Sequence, residues 1–112
     1  MNIVHTNQLP EVGTSHNVDI KKKVFINKDE IPQLMMFGAV TFKPGQTVKT
    51  HKHNTMYEVF HIQNGKAGFI INDEKLIVNK GDCITIEQGE CHSMNNPFKK
   101  ETTWVYFGIA TD

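Results

Sequence analysis

The sequence contains no arginine, and its 12 lysines are balanced by 12 acidic residues to a formal net charge of zero. Without Arg there is no planar fork to grip phosphate or carboxylate through two parallel hydrogen bonds, and without excess positive charge there is no electrostatic footprint for DNA or RNA. Nucleic acid is therefore not an expected partner. Cysteine is scarce as well. Cys83 and Cys91 stand eight apart, which makes neither a disulfide framework nor a CxxC pair, and both are expected as small buried hydrophobes. No run approaches the roughly 20 apolar residues of a membrane span, and Met1 to Gly13 lacks a basic start followed by an apolar stretch. The expectation is a soluble, cytoplasmic chain with no membrane partner. Internal repeats and low-complexity tracts are also missing, and 112 residues make one domain the natural unit.

What the chain does have is short strands. Leu34 to Phe42 is a nearly continuous apolar run beside Pro32 and ended by Pro44-Gly45, which suits a buried strand better than a helix. Strand-length runs follow at Val48 to His53, Tyr57 to Ile62, Gly65 to Ile71, Leu76 to Asn79, Cys83 to Ile86 and Thr102 to Ile109. Turn formers such as Asn64-Gly65, Asn72-Asp73 and Gly81-Asp82 separate them. No stretch of 11 or more residues keeps a helical apolar period. An all-β sandwich or small barrel is the expected fold. Residues 1–33 read as a polar arm with one or two strands that pack on the barrel or on a partner subunit, and residues 34–112 as the barrel domain. Lys21-Lys22-Lys23 reads as a solvated strand end.

Six histidines in so short a chain are the conspicuous excess. His51 and His53 stand at i and i+2, a spacing that sends both imidazoles to one face of a strand. Glu58 opens the next strand, where a hairpin-like return would bring its carboxylate beside them. Two imidazoles and a carboxylate form a facial set that leaves positions open on a divalent metal. His92 is a further candidate that only the folding of a barrel would bring to the same place.

These residues carry a resemblance. Gly45-x5-His51-x-His53-x4-Glu58-x6-Gly65 is similar at every spacing to the first motif of the cupin superfamily, and Gly81-x5-Glu87-x-Gly89-x2-His92-x3-Asn96 to the second. The one departure is Glu87, where the family usually has proline. Between the motifs lie 15 residues, Lys66 to Lys80, like the short spacer of small single-domain microbial cupins. The resemblance implies a double-stranded β-helix, a jelly-roll barrel of two antiparallel sheets. It also implies one divalent transition metal, Fe, Mn, Ni, Zn or Cu, held by His51, His53, Glu58 and His92, and a homodimeric assembly. With Glu58 inward, period two places Phe60 and Ile62 in the barrel and Tyr57, Val59 and His61 outside. Phe60, Ile62 and Tyr106 are the expected pocket wall, with some of Met36, Phe42, Phe69 and Trp104.

Alternatives stand beside each assignment. The four ligand-type residues would serve equally as hydrogen-bonded polar groups of a metal-free barrel, and Glu58 as a catalytic base beside three ligating histidines. His5 and His16, in the polar arm, are expected to be solvent-exposed. Two functions fit the set: an enzyme whose metal polarises a small oxygenated substrate for dioxygenase, lyase or isomerase chemistry, or a non-catalytic module with a structural or sensing ion. Without Arg, a carboxylate substrate would be held by the metal or by a lysine such as Lys43 or Lys49.

Overall fold

The apolar run that begins at Leu34 is a strand with those same ends, and the computed structural model, which describes residues 1–112, contains ten strands and no α-helix. In chain order they are β1 (Val12–Gly13), β2 (Lys21–Ile26), β3 (Leu34–Phe42), β4 (Thr47–His51), β5 (Met56–Asn64), β6 (Lys66–Ile71), β7 (Glu74–Asn79), β8 (Cys83–Ile86), β9 (His92–Asn95) and β10 (Thr102–Ala110). They form two antiparallel sheets. One has six strands in the order β1-β2-β3-β10-β5-β8, and the other four in the order β4-β9-β6-β7. The fold is the expected all-β jelly roll of two antiparallel sheets. The N-terminal segment is integral to it, since β2 pairs with β3 from Lys21↔Thr41 to Ile26↔Phe37.

Glycine makes the tightest corner between the sheets. Gly65 links β5 to β6 with φ of 78°, a conformation that costs other residues strain, and a side chain there would press on the Glu101 carbonyl at 2.5 Å.

Alternation along the strands places one face of each sheet inside. Phe60 and Ile62 of β5 are 1% exposed, while His61 between them faces solvent. Together with Phe42, Phe69 and Trp104 they fill one end of the barrel. Trp104 stacks near Phe42 with ring centroids 4.5 Å apart and touches Phe60 and Phe69 at 6.2 and 5.7 Å. Burying side chains of this size stabilises a fold by about 1.5–3 kcal/mol each. Asn96 is a buried polar residue of this end, and its bonds are all made. Its amide donates to the Phe42 and Lys100 carbonyls at 3.0 and 2.8 Å, and its oxygen accepts from Phe98 N–H at 3.0 Å.

Two local expectations are corrected. Cys83 and Cys91 are free and exposed, because each falls at the start or just outside of a strand on its solvent side. The strand holding His51 stops there, after a register irregularity against β9, so His53 lies just beyond β4.

Candidate metal centre

His51 ends β4, His53 follows two residues later, His92 opens β9, and Glu58 reaches across from β5 of the other sheet. One ligating atom from each lies within 4.8 Å of the others. Backbone pairing explains the convergence. His51 and His92 are register partners, and the Gly89 N–H donates to the His53 carbonyl at 2.7 Å, tying the loop before β9 to the loop after β4.

The Glu87 turn is locked by a bond that proline cannot make. Glu87 N–H donates to the Glu90 carboxylate at 2.7 Å, and Asn72 braces the same turn by accepting from Cys91 N–H at 3.0 Å. Glu87 itself is exposed. The departure from the motif therefore keeps the turn that presents His92.

The rings are held in a ligating tautomer. His51 Nδ1 stands 2.9 Å from the Lys49 carbonyl, and His92 Nδ1 2.9 Å from the Glu90 carbonyl. A carbonyl only accepts, so each Nδ1 keeps its proton and each neutral ring has its lone pair at Nε2. His92 Nε2 then meets Glu58 Oε1 at 3.1 Å, and His53 Nε2 meets the same oxygen at 3.2 Å. A lone pair facing a carboxylate oxygen requires a proton or a cation between them. Burial lowers the pKa of His51 and of His53, and neighbouring imidazoles reinforce it, so both favour the neutral, ligating form. Burial also works against charge on His92, but its bonds to Glu58 and the Glu90 carbonyl outweigh that and raise its pKa. Three imidazoles and a carboxylate so arranged fit a divalent transition metal.

A cavity of about 240 Å³ opens beside these residues. Tyr106 lines it, together with Met36, Phe42 and Trp104. Burial and the Glu58 carboxylate push the Tyr106 phenol up to about 12, so its hydroxyl remains a neutral donor. Phe60 and Ile62, expected in the wall, are not part of it. Successive inward residues lie about 7 Å apart along a strand, so the side chains two and four positions past Glu58 belong to the packed end. Phe60 backs Tyr106 instead, with the rings stacked at 5.6 Å. Met35, Met36, Met56 and Met94 all face the cavity.

His16 is exposed, as expected, yet it also joins the site. Its ring stacks on His51 at 4.1 Å between centroids and lines the cavity. The loop carrying it is closed by paired bonds between Thr14 and Ile20 and between Ile20 and Asn17, and the fully buried Ile20 anchors it. Asn17 also donates to the Thr47 carbonyl at 3.2 Å. No motif marks His16; the only local signal was an apolar residue, Ile20, closing a polar loop.

Two antiparallel sheets enclosing three imidazoles and a carboxylate define a jelly-roll barrel with a metal-ligating type of centre. The cupin domain family model matches residues 38–108, well over half of the chain, and the chain belongs to the cupin family. An oxalate-binding protein of Thermotoga maritima is 31% identical over 61 residues, a match spanning 54% of this chain and 50% of that relative. Among solved structures, a predicted oxalate decarboxylase from Thermotoga maritima superposes with a TM-score of 0.89 at 20% identity, covering 97% of this chain and 99% of the other. The polyketide cyclase RemF from Streptomyces resistomycificus gives 0.83 at 16% identity, covering 100% and 80%. These likenesses establish the shared fold. No helix of the chain is long and apolar enough to cross a membrane.

Proposed function

We propose that this chain is a metal-dependent cupin that binds a small oxygenated carboxylate and acts on it. The observation that carries the reading is the convergence of His51, His53, Glu58 and His92 at the side of a cavity too small for a drug-sized ligand. A divalent ion held by four protein groups supplies a Lewis acid with coordination positions left for ligand. Around it, the chain's own residues divide the work. Tyr106 offers a hydroxyl proton to a ligand oxygen, and the methionines adapt to the ligand's shape and exclude water. In the variant reading where three histidines ligate alone, Glu58 is the catalytic base. The name of the Thermotoga relative supports the carboxylate class, and equally supports a second reading, a binding module without turnover.

Elemental analysis of the purified protein, followed by water-proton relaxation with and without oxalate, tests the proposal. The expected result is one transition metal per chain with exchangeable water that oxalate displaces. An ion without exchangeable water would overturn the enzyme reading in favour of a structural ion. Mass spectrometry of oxalate and related acids after incubation separates turnover from binding.

We further propose that a second copy of the chain covers the outer face of the six-stranded sheet, where Phe37, Val59, Val105 and Phe107 line a shallow apolar depression. Sedimentation of the purified protein as a monomer would reject this.

A further inference from the structure

The cavity wall includes a charged donor with no proper acceptor. Lys22, half-buried in β2, has its ammonium 3.7 Å from the Met36 thioether, and the chain's ion pairs are those of Glu58 with His53 and His92, none of them with Lys22. Trp104, in the same cavity wall, has a buried indole N–H without a partner. A thioether accepts weakly, so Lys22 has no counter-charge and no strong acceptor within the chain.

Its neighbours are engaged otherwise. Lys21 donates to the Val18 carbonyl at 2.8 Å, and Lys43 and Lys49 are exposed and outside the cavity wall. Lys22 is the one lysine lining the cavity. The run Lys21-Lys22-Lys23 is therefore not merely a solvated strand end, because alternation along β2 turns its middle residue inward.

We propose that Lys22 is the counter-charge for a small carboxylate anion whose other oxygen-bearing end reaches the centre formed by His51, His53, Glu58 and His92. The inference rests on the metal-centred reading above and adds the residue that selects for ligand charge. A divalent ion on three neutral imidazoles and one carboxylate retains one positive charge, and Lys22 adds a second within the same cavity. A neutral ligand leaves both uncompensated. An anion with carboxylate oxygens at both ends answers both, and offers the Lys22 ammonium a strong acceptor. The volume of about 240 Å³ confines the class to compact acids.

Wild type, Lys22→Met and Lys22→Arg are compared after loading with the same metal, with content measured in each. Calorimetry then follows binding of oxalate, malonate and the neutral oxamide at low and high salt. Lys22→Met is expected to keep its metal and lose about tenfold or more in oxalate and malonate affinity, the scale of one charge-assisted bond. Its oxamide affinity should change little and its salt dependence flatten, while Lys22→Arg restores most of the acid binding. Equal acid affinity in wild type and Lys22→Met at equal metal content overturns the Lys22 assignment and leaves the metal reading standing. Metal-loaded wild type that binds neither acid overturns the carboxylate class. Wild type that takes up no metal overturns the metal reading and this inference with it.

Discussion

Within one barrel, Phe60 and Glu58 stand two residues apart on the same inward face of β5, yet they serve interiors of opposite character. Around Phe60 the rings of Trp104, Phe42 and Phe69 close on one another, and the buried Asn96 has every polar atom bonded. Around Glu58, three imidazoles crowd a single carboxylate oxygen or its neighbours, and Lys22 lacks a counter-charge. One end is closed by ring packing, with the Trp104 indole N–H left unpartnered, and the other waits on something supplied from outside. Stability and binding are thus assigned to adjacent stretches of the same strands, which makes the two separable by mutation.

The largest expected effect is at the mouth. Replacing His51 and His53 together by Ala should abolish metal uptake while leaving the circular dichroism of the folded barrel unchanged; full occupancy by elemental analysis would remove the centre from these residues. Next comes the packed end. Trp104→Ala should cost about 3–5 kcal/mol in urea unfolding of the metal-free protein, since it empties the space between Phe42, Phe60 and Phe69. A cost under about 1 kcal/mol would mean that this end is not the stabilising one. Glu58→Gln keeps the side chain's shape but loses its charge, so metal affinity should drop at least about tenfold, with the melting temperature of the chelated protein little changed. An unaltered affinity would move Glu58 from ligand to base.

The smallest effect concerns pH. His16, His51 and His53 have folded pKa values below the unfolded value of about 6.5, so the stability they carry is present above that pH and lost as pH falls through their folded values. His92 acts in reverse. Its raised pKa contributes stability below about 6.5 that disappears as pH rises through its folded value. With three groups against one, the melting temperature in chelator should decline modestly between about pH 7 and 5. A melting temperature that climbs over that range would show that the Glu58–His92 pair dominates the mouth.

Much of the barrel was legible beforehand, for a local reason. β3 and β8 begin and end where the apolar runs and turn residues place them, and the parity counted from Glu58 correctly buried Phe60 and Ile62 and exposed His61. β9 was not legible as a strand. His92–Asn95 contains no β-branched residue, and its extended form comes from pairing on both sides, with β4 and β6. The pocket wall was misjudged because parity says which face a residue takes, while depth along the barrel decides whether it meets the cavity or the packed end. The places of His16 and Lys22 in the cavity wall were not legible because a polar loop and a lysine run look alike whether solvent or a cavity lies beside them.

The sequence alone therefore determined most of the strands, the turns and the two spaced motifs that carry the ligand-type residues, because each depends on residue type and separation along the chain. Only the tertiary structure decided that β9 lies against β4, that the N-terminal loop brings His16 onto His51, and that Lys22 lines the cavity. Those relations link residues far apart in the chain, and what joins them is sheet closure and the burial of Ile20, which no local spacing encodes.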